Sequence, residues 1–154
     1  MGIRLAVLSD IPELVEGASR MHAMTRFRDQ PFSAQRTAES FTALIRHDKG
    51  RYLFLVAEGA DKRIVGALIA VVERQIFSEA FTATVMHIDV LPEARMGGYG
   101  VKLLRAFEQW AANRNAYEIC MGANSSLESN ALAAFVGRLG YRRVGENYVK
   151  GAIR

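Results

Sequence analysis

The segment IDVLPEARMGGYGVKLL, Ile88 to Leu104, carries the turn on which the fold is read. An apolar strand pattern stops at a proline, glycines fill positions Gly97, Gly98 and Gly100, and an amphipathic helical pattern follows without a break. Glycine lacks a Cβ, so it takes positive φ and lets another molecule approach the backbone. At a helix start such residues leave unpaired N–H groups facing outward, with the positive end of the helix dipole behind them. That is a site for an anion, most naturally a phosphate. Without a ligand the same residues make only a tight strand-to-helix turn. Two phosphate patterns fail here. A P-loop needs GxxxxGK followed by Ser or Thr, and Lys102 stands between Val101 and Leu103. A dinucleotide fingerprint needs another glycine three residues after Gly100, where Leu103 stands.

At the start of the chain Ile3 to Leu8 reads as a short strand, and Asp10 with Glu13 offers a reciprocal N-cap that tolerates Pro12 in the first turn of a helix reaching about Met24. Pro31 breaks the pattern. A second helix carries Ala34, Ala38, Phe41, Leu44 and Ile45 on one side, with Gly50 to close it. RYLFLVAEG and RIVGALIAVVERQIF, joined by the turn GADKR, read as an antiparallel hairpin, which FTATVMHIDV extends to a meander. Next come a helix from about Gly98 to Asn113, a strand at Tyr117 to Gly122, a helix from about Leu127 to Leu139, and a hairpin-like pair around Tyr141 to Val149. The late strand-helix-strand alternation implies a parallel pair within a mixed sheet.

The 154 residues, 50% hydrophobic, fit one domain spanning 1–154 with a real core. The longest apolar run, Ile64 to Val72, is flanked by Arg63 and Glu73 and is far short of the roughly 20 apolar residues a membrane helix needs. It reads as a buried strand. Asp10 interrupts the N-terminal region before any signal-like stretch, and Ala6 defeats the Met1-Gly2 myristoylation pattern, so a cytoplasmic protein without a membrane partner is expected. A single cysteine, Cys120, suits a small core residue in a reducing compartment. Twenty Lys and Arg against sixteen Asp and Glu leave a charge of +4, spread along the chain. Nucleic-acid binding lacks a basic stripe or stacking platform and is not expected.

Residues 88–104 resemble the acyl-CoA-binding motif of the GNAT acetyltransferase superfamily, in which a strand ending at V-x-P is followed by R/Q-x-x-G-x-G/A and a helix. The matching residues are Val90, Pro92, Arg95, Gly98 and Gly100. IRLAVLSDIPEL resembles the family's opening strand and helix, and AAFVGRLGYRRVG its last helix and LGF/LGY turn, so the likeness spans nearly the whole chain. The resemblance implies an α/β fold: a mostly antiparallel central sheet with a splayed parallel strand pair and flanking helices. It implies acetyl-CoA as co-substrate and no metal. The pantetheine would pair against the strand at Ile88 and Val90, and the pyrophosphate would sit on Arg95, Met96, Gly97, Gly98, Tyr99, Gly100 and Val101. Asn124 and Asn130 would be side-chain contacts, though asparagine is also common in turns.

The resemblance implies N-acetyl transfer to a primary amine, probed by asking which group takes the ammonium proton. The tyrosine that relatives often place four residues before the glycine of LGF is replaced by Val136. His87 and Asp89 alternate with Ile88 and Val90, so they share the opposite strand face unless a bulge intervenes. His87 has the intrinsic pKa of a base, and Asp89 would raise or orient it; a polar pair on an outer strand face is the plain alternative. Tyr99, Tyr141 and Tyr148 are other phenols. The acceptor region of the family falls on the first two helices and their connection, which supplies Met21, His22, Phe27, Arg28 and Phe32. A small-molecule amine is favoured over a protein N-terminus, because Ser129, Leu132 and Val136 occupy the places of N-x-x-A-x-x-x-Y. A catalytically silent acyl-CoA-binding module is the rival reading. Homodimers are common among such relatives and are not legible in one chain.

Overall fold

The computed structural model describes residues 2–46, 50–122 and 129–151 of the chain. Five strands form one sheet in chain order: β1 Ile3–Leu5, β2 Tyr52–Glu58, β3 Ile64–Arg74, β4 Phe81–Val90 and β5 Glu118–Met121. The first four pair antiparallel, and β5 alone runs parallel, against Thr82 to Val85 of β4. Helices α1 Ile11–His22 and α2 Ala34–Arg46 precede β2, α3 Tyr99–Asn113 crosses between β4 and β5, and α4 Ser129–Arg138 follows. The expected order of elements is therefore found through α4.

Side-chain alternation along the strands makes two cores. On one face Leu53, Leu55, Leu68, Ala70, Ala83 and Val85 meet Leu103, Leu104, Phe107 and Ala111 of α3. These four α3 residues are at most 1% exposed, so each large one contributes about 1.5–3 kcal/mol of apolar burial. On the other face Phe54, Val56, Ile64 and Ile69 meet Leu14 of α1 and Phe41, Leu44 and Ile45 of α2. Phe41 packs edge-on against Phe54 with centroids 5.1 Å apart. The sheet is thus a middle layer between α1/α2 and α3.

Three local expectations change. Asp10 does not cap α1: a 3-10 turn, Leu8–Asp10, precedes the helix, and the Asp10 carboxylate accepts the Val7 N–H (2.8 Å) and both terminal nitrogens of Arg4. Helical backbone begins three residues earlier than the capping pattern suggests. Glu13 is likewise drawn away, accepting the Ile64 N–H at 2.7 Å and tying α1 to β3. Finally, residues 141–150 form no strand where a terminal hairpin-like pair is expected. Val144, Tyr148 and Val149 are exposed, so the apolar alternation there has no face to bury against. Gly50 is left-handed (φ 69°), as a helix-closing glycine would be, but residues 47–49 lie outside the described set.

The end of α4 is a Schellman motif: Gly140, φ 95°, places its N–H on the Gly137 carbonyl and the Tyr141 N–H on that of Val136. The LGY turn is this cap.

Candidate active site

The site is set by one extra residue in β4. Register with β3 pairs His87 with Ile69 but Val85 with Ala70, so Met86 is a β-bulge. A bulge reverses which residues face which layer. Before it, Ala83 and Val85 point at α3; after it, Ile88 and Val90 do. His87 and Asp89 are thereby turned to the α1/α2 face, where they line a crevice with Glu13, Gly17, Met21 and Phe41. They share a face as their spacing predicts, and that face is partly roofed by helices. The two side chains form an ion pair through His87 Nε2 and Asp89 Oδ2. Burial opposes a charge on the imidazole, but the hydrogen bond and the negative charge of Asp89 outweigh it and raise the His87 pKa.

The same bulge marks where β4 and β5 part. Strand β5 pairs only as far as Val85, leaving the last residues of β4 without a strand neighbour on that side among the described residues. The Leu91 N–H donates to the Val65 carbonyl at 2.8 Å. Antiparallel alternation then directs the backbone groups of Asp89 and His87 to β3 and those of Ile88 and Val90 into the gap. Arg95 Nε donates to the Val90 carbonyl at 3.1 Å. Among the described residues, an extended chain laid in the gap would meet only that guanidinium at this edge.

At the end of the gap lies the glycine turn. Residues Pro92–Gly97 make a 3-10 turn, Gly98 is left-handed at φ 76°, and α3 starts at Tyr99. A non-glycine residue at that φ is strained. The Lys102 N–H reaches the Gly98 carbonyl at 3.2 Å, closing the first turn. The N–H groups of Tyr99, Gly100 and Val101 precede it and have no intrahelical acceptor. A Cβ on Gly97 would stand 2.6 Å from the Tyr99 ring, and one on Gly100 would meet Phe135 of α4 at 3.4 Å. Met96 is 99% exposed at the lip. Glu93, the nearby carboxylate, is held by Arg20 of α1 through two hydrogen bonds of 2.9 and 2.8 Å. That guanidinium pushes its pKa down to about 2. N–H groups without an intrahelical acceptor, beside a strand edge open among the described residues, fit the phosphates and the extended arm of an acyl-CoA.

The remaining sequence candidates fall elsewhere. His22 and Phe32 are in ring contact at 5.5 Å, and Phe27 lies under Arg26 at 4.2 Å. Neither these nor Arg28 lines the His87 crevice, whereas Met21 does. Asn124 lies outside the described residues, and of Asn130 only its place in the first turn of α4 is described. Tyr141 donates to Glu108 at 3.2 Å, and burial followed by the Glu108 charge drives its pKa above the ordinary phenol value. Tyr148 is exposed and bonded to Glu146. Burial, then the charge of Glu118, raises the Cys120 thiol, which disfavours the thiolate a nucleophile needs. Among the described residues no group of three His, Cys, Asp or Glu side chains could hold a metal, and no helix is long and apolar enough to cross a membrane. Sequence reasoning missed Glu13, Gly17 and Phe41 as neighbours of His87. Their one local signal is a glycine in the middle of α1.

Among solved structures, the aminoglycoside antibiotic 6'-N-acetyltransferase AAC(6')-Ih of Acinetobacter baumannii shares 22% identity, with 99% of each chain covered and a TM-score of 0.74. Glucosamine-6-phosphate N-acetyltransferase of Arabidopsis thaliana shares 14% identity over 97% of this chain and 96% of that one, at 0.76. A transcriptional regulator of Bacillus halodurans shares 19% identity over 97% and 98%, at 0.79. No curated protein matches the sequence significantly. Identities this low establish the fold. The acetyltransferase (GNAT) family, however, matches residues 21–141, most of the chain including β4, the glycine turn and α4. The chain belongs to the GNAT acetyltransferase family.

Proposed function

We propose that the protein transfers the acetyl group of acetyl-CoA to a primary amine of a small molecule, by direct attack in a ternary complex. The observation that carries this reading is the bulge at Met86, which opens the β4 edge toward the glycine turn and turns His87 and Asp89 to the other side of the same strand. Membership of the family supports acetyl transfer, and the aminoglycoside N-acetyltransferase neighbour supports an amine acceptor. A crevice enclosed between sheet and helices suits a small acceptor better than a folded protein surface.

Acetyl-CoA supplies an acetyl group activated as a thioester. The N–H groups of Tyr99, Gly100 and Val101 bind its pyrophosphate at the positive end of α3. The backbone of Ile88 and Val90 holds the extended arm once Arg95 releases the Val90 carbonyl. Phe135 and Val90, packed near Gly100, exclude water from the α3 side. The α1/α2 side stays open to the acceptor. Attack forms a C–N bond as the C–S bond breaks, and the nitrogen must shed a proton. Asp89 engages Nε2 of His87, leaving Nδ1 as the base that accepts it. No tyrosine stands at Val136 to protonate the leaving sulfur, so the thiolate draws its proton from solvent.

Calorimetry with acetyl-CoA tests the first half: binding is expected, and Gly98→Ala, which forces a Cβ into φ 76°, is expected to weaken it at least tenfold while costing roughly 1–2 kcal/mol of stability. Thiol release on adding amines tests the second. Binding without release on any amine leaves the silent acyl-CoA-binding module, which the valine at 136 favours.

A further inference from the structure

On the reading that the crevice beside His87 receives the acceptor, we propose that the acceptor is a compact primary amine with an apolar body, a short alkyl amine, and that Gly17 keeps its berth open. The crevice walls are Leu14, Met21, Phe41, Phe54 and Ile69, all but Phe41 at most 9% exposed. Its polar side chains are those of Glu13, His87 and Asp89, with Asp89 on the proposed base and Glu13 at the same crevice, accepting the Ile64 N–H. This suits one cationic head on an apolar stem. An arriving ammonium is attracted by the carboxylates and gives one proton to solvent, so that a neutral amine attacks. The second proton passes to His87 as the C–N bond forms and the C–S bond breaks, and the leaving thiolate takes a proton from solvent. Among the described residues the walls offer no hydroxyl or amide side chains to satisfy a polyhydroxylated body, and leaving such groups unpaired is costly. The free volume, about 50 Å³, is room for about four water-sized groups, the span of a short stem and not of an oligosaccharide.

Gly17 is the independent observation. It lies in the interior of α1, where glycine weakens a helix relative to alanine. It has ordinary negative φ, and a Cβ built on it meets nothing within 4 Å among the described residues. Neither backbone conformation nor packing within the chain therefore calls for glycine. On the helix it is four residues from both Leu14's neighbour Glu13 and Met21, so it shares the face that looks into the crevice. A side chain here would fill the space the acceptor needs.

The test uses the full chain with butylamine, phenethylamine, glucosamine and kanamycin, reading kcat/KM by thiol release, direct amine binding by NMR line broadening, and acetyl-CoA binding by calorimetry. Butylamine is expected to exceed both sugars, and phenethylamine with its bulkier ring, by at least about tenfold, the scale on which apolar pockets discriminate. Gly17→Leu is expected to raise KM for the preferred amine, and weaken its direct binding, at least about tenfold, with acetyl-CoA affinity within about twofold. Gly17→Ala is expected to raise the Tm while weakening the amine in the same direction. Preference for phenethylamine, glucosamine or kanamycin overturns the proposal, as does Gly17→Leu binding the amine as well as the parent protein does. Loss of acetyl-CoA binding by the parent protein sinks instead the acetyltransferase reading beneath it, and the direct amine measurement still decides whether the crevice takes an apolar amine.

Discussion

At the scale of single residues the chemistry turns on whether His87 is neutral when the acceptor arrives. Asp89 raises its pKa against the opposing effect of burial, so the fraction of free base grows as pH rises through that raised value. The rate should rise with it. Asp89→Asn removes both the hydrogen bond to a carboxylate and the charge, leaving burial, which lowers the pKa. The midpoint of kcat/KM against pH is therefore expected to move to lower pH in Asp89→Asn, while His87→Gln loses about 10²- to 10⁴-fold in kcat above the parent's midpoint, a deficit that narrows as pH falls below it. An unmoved midpoint removes His87 from the role of base. The linked stability has the opposite sense: a raised folded pKa contributes below the unfolded value of 6.5 and is lost as pH rises through the folded one. The pairing of His87 with Asp89 is legible as alternation along one strand. The layer they face is not, because Met86 bulges only in its register with β3, a partner some twenty residues away in the chain.

At the scale of elements, what the sequence shows best is what depends on local periodicity. The amphipathic patterns of α1, α2 and α3 and the apolar runs of β2 and β3 all find their elements within a few residues. Ends depend on cap geometry, and there the reading slips. Asp10 looks like an N-cap and is instead the third residue of the preceding turn, while the end of α3 carries a cap that pattern alone does not announce. Asn115, left-handed at φ 55°, gives its N–H to the Ala112 carbonyl, and the Ala116 N–H reaches Ala111. This is a second Schellman motif, with asparagine where α4 uses glycine. Asn115→Ala forces a plain Cβ residue into that conformation and is expected to lower stability by roughly 1 kcal/mol, whereas Asn115→Gly holds or raises it. Urea midpoints of the two variants check the difference, and equal losses in both would mean that the Asn115 side chain, and not its backbone, supports the helix end.

At the scale of the whole molecule the crevice exists because α1 is held at a fixed height above the sheet. Leu14 and Ile64 join the layers by apolar contact, and an ionic clasp at the start of the chain fixes where α1 departs. Arg4 of β1 bonds both Asp10, at the mouth of α1, and Glu58 of β2. The order of the layers follows from the order of elements, but this clasp joins residues 54 positions apart and no local pattern displays it. Asp10 is 8% exposed. The hydrogen bonds from Arg4, against the opposing effect of burial, together with the Val7 N–H, hold its pKa below the ordinary 3.8. A lowered folded pKa contributes stability that is complete above 3.8 and is lost as pH falls through the folded value. The Arg4 guanidinium stays charged throughout, so the acid limb belongs to the carboxylates. Exposed Glu93, also lowered, adds little because its pair with Arg20 is open to solvent. Asp10→Asn should therefore be less stable than the parent at neutral pH and lose less of its stability as pH falls below 3.8. Thermal midpoints of the two proteins are expected to converge in acid, and since α1 forms the crevice wall, amine binding should weaken in Asp10→Asn at neutral pH while acetyl-CoA binding, which depends on β4 and α3, holds. Parallel pH profiles of the two proteins would show that the clasp does not set the α1 layer.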